Sequence, residues 1–466
     1  MRQTSRTIRV AVAAALGLVA TLGLAFPSNG ATAPSKGSPQ SISLGPVPLV
    51  SVGGVGPLFA SASSGLPVIF SSQTPAVCSV KAPFVTGLQM GVCSIAVSQL
   101  GNKSFAPAQS ASMAIPIGPV KPVVAPIASS TKYKITFLPS PDGLVAPTAL
   151  NNLGQIAGYY FLSDGTYHGF LTGPNGVGIA DIGGLGATNS LIHSINDSGM
   201  IGGRCEVPGV TVADGYSGQC AFLSGPNATQ IHALPALGSD TTATITGLNV
   251  YGAAVGRSRN GTTLFERAFS LPVGTQVPIE LLSSLGLQTW AAAINDSGQI
   301  AVTEVLAGNP LTNADSLRIE PNGSVTKIGS VPGYMSIPTA MNNAGEIAGG
   351  LQLLGDSWAS AGRWTFYADP NGQNMRIVPS LGGTTTWPYW IDRNGSITGS
   401  SQIAGNVEAH AFVTAPHGGA MHDLNQDVAL APGNYLQYAI SMNNSGQILV
   451  VDALSNVYLL TPVKKK

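Results

Sequence analysis

The sequence predicts an all-β chain, a small β-sandwich followed by a seven-bladed β-propeller closed by pairing of its N- and C-terminal strands. Three observations predict it. One short phrase returns seven times between Ala149 and Gly446. β-Branched apolar runs alternate with Gly, Pro and Asn turns along most of the chain, as short antiparallel strands require. A strand-like segment without a partner of its own, Tyr133–Leu138, precedes the first copy, while the last copy is one strand short.

The phrase is clearest as Asn151-Asn152-Leu153-Gly154, Asn196-Asp197-Ser198-Gly199, Asn295-Asp296-Ser297-Gly298, Asn342-Asn343-Ala344-Gly345 and Asn443-Asn444-Ser445-Gly446. Degenerate copies are Asn249-Val250-Tyr251-Gly252 and Asp392-Arg393-Asn394-Gly395. The seven glycines recur 45 to 53 residues apart, a spacing of propeller and solenoid units. In each copy the Asn or Asp caps a turn with its side chain, and Gly takes the positive φ. Each unit then parses into four strands. The first ends in the turn and the second is the Gln-Ile-Ala-Gly run. The third carries His168-Gly-Phe-Leu171, Cys220-Ala-Phe-Leu223, Arg267-Ala-Phe-Ser270 or His410-Ala-Phe-Val413. The fourth is a run such as Ile179–Leu185 or Met375–Leu381. Four antiparallel strands make a propeller blade. Pairing Tyr133–Leu138 with Val457–Leu460 completes the seventh and removes two open sheet edges. Six or eight blades, or a right-handed β-solenoid, are the competing architectures.

Residues 1–33 read as a secretory signal peptide: Arg2, Arg6 and Arg9, then apolar Val10–Phe26, then Ala31-Thr32-Ala33 as a small-residue cleavage site. Residues 34–41 are expected to be disordered, 42–117 to form the β-sandwich, and 118–132 to be a stiff Pro-rich linker. The propeller takes 133–463, and 464–466 are a tail. Four cysteines fall in two local pairs, Cys78/Cys93 and Cys205/Cys220, and an even count in an exported chain favours disulfides. Each would close a loop of 15 residues, worth about 3 kcal/mol in the chain-entropy model.

Two stretches resemble known families. Ser61–Val80 together with Gly91–Ala108 is similar to a bacterial Ig-like repeat found in large exported proteins, and Cys78 and Cys93 sit where that family places its own pair. The resemblance implies an Ig-like sandwich serving as a spacer or adhesive stalk. The Asn-Asp-Ser-Gly turns, His410-Ala411-Phe412 and Leu381-Gly382-Gly383 resemble the extracellular HAF-repeat family over about residues 133–460. That resemblance implies export and names no reaction.

Only 9% of the residues are charged, with 21 Lys+Arg against 21 Asp+Glu, and nothing forms the basic stripe a nucleic-acid partner needs. No stretch of the mature chain is long and apolar enough to span a bilayer. The Asn/Asp turns offer too few carboxylates for Ca²⁺. His410, His417 and His422 with Asp423 lack any usual zinc spacing, so no metal and no cofactor is assigned. No Gly-x-Ser-x-Gly elbow or phosphate loop appears, and no catalytic residue is assigned. Aromatics gather instead in the loops entering each first strand: Trp290, Tyr334, Trp387, Tyr389, Trp390, Tyr435 and Tyr438. The variable loops Glu206–Gly218, Leu306–Ala314 and Gln352–Ser360 share their face. These rings either bind a ligand or wedge between blades. The reading that follows is an exported, non-catalytic recognition or adhesion protein, extracellular or at the cell surface, binding a polysaccharide or protein through that loop face. A propeller glycoside hydrolase or lyase is the rival, and a surface-display protein without a ligand the third reading. An enzyme would place a His and a carboxylate, or two carboxylates, within mutual reach.

Overall fold

The computed structural model describes residues 37–119, 126, 128–141, 143–211, 217–283, 288–305, 314–354, 363–372 and 374–463. The segment read as a signal peptide, the 464–466 tail and most of the three variable loops lie outside the described residues. All the extended structure is β, and no described helix is long and apolar enough to cross a membrane.

The N-terminal unit stacks one sheet on another. Val47–Ser51, Ala111–Gly118, Gly91–Ser98 and Ile69–Ser72 form the first, and Val55–Pro57, Phe84–Gly87 and Cys78–Lys81 the second. Alternate residues of Gly91–Ser98 and Ala111–Gly118 point inward, so Cys93, Ile95, Val97, Met113, Ile115 and Ile117 make the core. The Cys78–Cys93 disulfide crosses that core from sheet to sheet.

Beyond it, seven four-stranded antiparallel sheets follow along the described chain, over residues 145–183, 190–234, 242–280, 288–327, 334–378, 382–423 and 436–462. The seventh takes its fourth strand from the front of the chain: Tyr133–Leu138 lies antiparallel to Val457–Pro462. The third-strand phenylalanine explains why each sheet packs on the next. Phe170, Phe222, Phe269, Phe366 and Phe412 are fully buried, each in an apolar cluster drawn from two adjacent sheets. Polar clamps repeat as well. A first-strand hydroxyl accepts the third-strand N–H of the preceding sheet at Ser190 (from Gly169, 2.8 Å), Thr289 (Ala268, 2.9 Å), Ser336 (Ser316, 3.0 Å) and Thr386 (Thr365, 3.1 Å).

The motif turns bond to each other in series. Asn151 Nδ2 donates to the Asn196 carbonyl (3.1 Å), Asn196 to Asn249 (3.0 Å), Asn249 to Asn295 (3.3 Å), Asn295 to Asn342 (3.2 Å) and Asn342 to Asp392 (2.9 Å). Asn443 donates to Asn151 (3.0 Å), joining the last sheet to the first. Each Asn Oδ1 meanwhile accepts its own turn's N–H groups, as at Leu153 and Gln155. Gly154, Gly199, Gly298, Gly345, Gly395 and Gly446 all have φ between 73° and 84°, the left-handed region where a Cβ is strained.

Three expectations about the front of the chain need correction. Residues 38–41 are held rather than free, because Gln40 Nε2 donates to Gln99 and to the Ala106 carbonyl, both at 2.6 Å. The end of the expected linker is part of the sheet domain: Ala128–Ser129 pairs with Ala429–Leu430, and Lys132 forms an ion pair with the buried Asp427. The N-terminal unit does not stand off. Its strand Val47–Ser51 pairs antiparallel with Ile179–Gly183 of the first sheet, Phe59 enters the core between the first two sheets, and Asn227 Nδ2 donates to the Ala60 carbonyl at 3.0 Å.

Asn443→Ala should remove the bond between last and first sheets and take from the Ser445 and Gln447 N–H groups their acceptor, costing about 1–3 kcal/mol in urea denaturation. Asn444→Ala, exposed and contributing its backbone N–H to Asn152, should cost much less.

Candidate functional site

One turn of the ring departs from the rest. Asp392 takes the place of Asn, and a carboxylate has no N–H to pass on, so the series of donors stops there. Its oxygens accept from Asn394 N (2.9 Å), Ser396 N (2.7 Å) and Asn394 Nδ2 (3.1 Å), which keeps the turn but not the link. The motif turns together line an axial depression of about 210 Å³, and only at this turn does it carry an indole and a guanidinium, Trp390 and Arg393. Trp390 is 38% exposed, the most open of the seven aromatics singled out from sequence.

On the other side of the same turn stands a histidine–carboxylate pair. The preceding sheet carries Glu346 where three copies have Gln155, Gln299 and Gln447. Glu346 is buried, and its Oε1 meets the Tyr367 hydroxyl and His417 Nδ1, each at 2.5 Å, while Asn342 Nδ2 donates to Oε2 at 2.5 Å. Burial alone would raise the Glu346 pKa, but the hydrogen bonds from Tyr367, His417 and Asn342 outweigh it and hold the carboxyl below its ordinary range. Desolvation, with Glu346 beside it, drives the Tyr367 hydroxyl far up, so it stays a donor. His417 is 68% exposed although its Nδ1 is engaged, so Nε2 faces solvent. It is anchored by its N–H to the Asn394 carbonyl (3.1 Å), and Arg376 Nη2 donates to its carbonyl while the guanidinium lies 4.4 Å over the Tyr367 ring. An imidazole, a buried orienting carboxylate and Arg376 thus adjoin residues 392–395, which themselves carry Arg393.

Two other histidines are clasps between strands. His168 bonds Asp181 (3.0 Å) and His410 bonds Asp423 (2.7 Å), each from a third to a fourth strand. Arg267–Glu280 (2.8 Å) fills the same role, and Asp315–Lys327 (2.5 Å) fills it with signs reversed. In the second sheet Cys220 holds that position and is bridged to Cys205 opposite it. His410, His417 and His422 go to three different carboxylates, Asp423, Glu346 and Asp427.

The remaining predicted aromatics are mostly packed. The Trp387 ring covers Gly350 of the preceding sheet, so closely that a Cβ there would lie 2.2 Å from it, and Arg363 sits 5.5 Å from its centroid. Tyr389 and Tyr438 meet edge to face at 6.2 Å, and burial lifts the Tyr389 hydroxyl to about 12. Tyr435 packs on His410 at 5.1 Å, Trp290 keeps its indole N–H buried, and Tyr334 packs against the cluster around Phe366. Trp390 alone opens on the depression formed by the motif turns. Glu346 was missed from sequence, and His417 was weighed there only as a metal ligand. The signal was Glu at a Gln position of the repeat, but His417, 71 residues away, is brought to it only by the docking of adjacent sheets.

No protein-family model and no curated protein matches the chain. Solved structures similar to it are β-propellers. The propeller domain of the Trilobed protease from Pyrococcus furiosus aligns with a TM-score of 0.47 at 9% identity, covering 72% of this chain and 96% of that one. A putative TolB from Agrobacterium tumefaciens gives 0.38 at 9%, covering 73% and 100%. Pyrococcus horikoshii acylaminoacyl peptidase gives 0.43 at 10%, covering 66% of this chain and 49% of the peptidase. The chain is an all-β protein of propeller type, and its two disulfides fit an extracellular or periplasmic location. The expectation of a non-catalytic adhesion or recognition protein is overturned: the similar structures are propellers of peptidases and of TolB.

The Glu346 environment fixes a pH dependence. Because its folded pKa is depressed, its contribution to stability is present above the ordinary value of 4.5 and is lost as pH falls through the folded pKa. Glu346→Gln, which restores the residue of three other repeats, should therefore lower Tm near neutrality and converge on the parent protein in acid.

Proposed function

We propose that the chain is an exported glycan-active enzyme of lyase type, built as a seven-bladed propeller with an Ig-like module at its rim and belonging with the HAF-repeat proteins. The substrate class is an acidic polysaccharide carrying uronate carboxylates. The observation that carries the reading is His417: its Nδ1 is fixed by the buried Glu346, its Nε2 is open to solvent, and Arg376 stands beside it.

The chemistry follows from those groups. A proton on the carbon next to a uronate carboxylate becomes acidic when the carboxylate is neutralised, which Arg376 and Arg393 are suited to do. His417 Nε2 takes that proton, and Glu346 steadies the imidazolium that forms. The C–H electrons become a ring double bond, the glycosidic C–O bond at the adjacent carbon breaks, and the leaving oxygen receives the proton back from His417. No water is consumed. Trp390 and the polar depression offer a stacking platform one turn away from the base, where a neighbouring sugar would sit.

The test is incubation of the mature chain with polygalacturonate, alginate and a neutral glucan, following the ultraviolet absorbance of an unsaturated uronate. The expected result is absorbance growth on an acidic polymer only. Reducing ends without that absorbance would indicate hydrolysis instead, and no product from any polymer would overturn the reading. His417→Ala should lower kcat by at least about 10²-fold with Tm preserved, since removing a general base costs that much. Trp390→Ala should act mainly on KM.

A further inference from the structure

The second residues of the motif turns form a bond series of their own around the axial depression. Asn444 N–H donates to Asn152 Oδ1 (2.8 Å), Asn152 N–H to Asp197 Oδ1 (2.9 Å), Val250 N–H to Asp296 Oδ1 (3.0 Å) and Asp296 N–H to Asn343 Oδ1 (3.0 Å). Val250 and Arg393 carry no side-chain oxygen at this position and interrupt the series, and both line the depression. The same two turns bring large rings to its rim. Tyr251, the third residue of its turn, is 66% exposed, and Val250 beside it is 41% exposed. In the other copies the Tyr251 position holds Leu, Ser, Ala or Asn. Trp390 stands at the Arg393 turn.

The two ringed turns lie across the depression from each other. Val250 belongs to the third sheet and Arg393 to the sixth, as far apart as the order of the sheets allows. Charge divides along the same line. Asp197 and Asp296 sit one turn to either side of Val250. Their carboxylates are held by neutral donors: Asn152 N and Nδ2 for Asp197, Val250 N and Asn343 Nδ2 for Asp296. The Tyr251 side of the mouth is therefore acidic, and the Arg393 side, with Arg376 beyond it, is basic.

We infer that the substrate is a polysaccharide laid across the axial mouth, with a uronate on the Arg393 side and a neutral sugar on Tyr251. The inference rests on the lyase reading for the uronate at Arg393 and His417. A chain continuing from there over the depression meets Tyr251 and Val250, an aromatic ring and an aliphatic side chain that suit the C–H face of an uncharged sugar. A uronate in that place would bring its carboxylate towards Asp197 and Asp296. Like charges a few ångströms apart in water cost about 3- to 5-fold in affinity. The acidic side thus selects, by repulsion, chains that mix neutral sugars with uronates over chains of uronate alone.

The experiment is calorimetric titration of the His417→Ala chain, which leaves bound sugar intact, with two probes of equal length. One is a polygalacturonate oligomer, and the other is the same oligomer with half of its carboxyl groups reduced to alcohols. The expected result is tighter binding of the half-reduced oligomer, by about 3-fold or more, although it offers fewer charges to the arginines. Asp197→Asn and Asp296→Asn, which install the residue found at Asn152, Asn343 and Asn444, should each strengthen binding of the fully charged oligomer and close that gap. Tyr251→Ala, the residue of the fifth turn, should weaken the half-reduced oligomer by about 3- to 10-fold and leave a galacturonate disaccharide, too short to cross, unchanged. Tighter or equal binding of the fully charged oligomer, or Asn variants without effect, would overturn the inference and leave the lyase reading standing. Binding of neither oligomer would overturn both.

Discussion

The structure depends on an amide that does two jobs. The motif Asn uses its oxygen to hold its own turn and its Nδ2 to grip the carbonyl of the next turn along. Each such bond contributes on the order of 1 kcal/mol, too little to set a fold alone. Their effect comes from sequence: the same residue that shapes the hairpin fixes how one sheet meets the next. With Asn443 reaching Asn151 across 292 positions, the bonds tie the two ends of the chain's path together at the turns, while Tyr133–Leu138 ties them at the outer edge.

A repeat built this way can change one copy without losing the others, and the chain has done so at the junction of the fifth and sixth sheets. Asp392 gives up the outgoing bond, Glu346 replaces an amide with a carboxylate, and His417 and Arg376 lean on the same turn. A buried carboxylate is expensive unless its lone pairs are filled, and here three donors fill them. The arrangement would be an unnecessary cost if the position were only structural, since the neutral Gln155, Gln299 and Gln447 serve elsewhere.

Periodicity carried most of the architecture into view. Asn-x-x-Gly turns, buried third-strand phenylalanines and the displaced strand Tyr133–Leu138 could all be read from spacing, because each is a local demand repeated in every unit. What spacing could not reveal was contact between units. The docking of Val47–Ser51 on Ile179–Gly183 and the meeting of Glu346 with His417 depend on which edges and turns face each other. Aromatic content misled for a related reason. Trp387 and Tyr389 look alike in sequence with Trp390, yet register sends Trp387 onto Gly350 and leaves Trp390 at the mouth of the depression.

The account's central claim is that the Asp392–Gly395 turn, with Trp390 on one flank and His417 on the other, is a single site. Side-chain NMR of the mature chain during titration with a short oligogalacturonate tests it most directly. The account predicts that the His417 ring and Trp390 indole signals move along one saturable curve, while the buried Trp387 indole stays still. Movement of neither signal, or of Trp387 in place of Trp390, would contradict it.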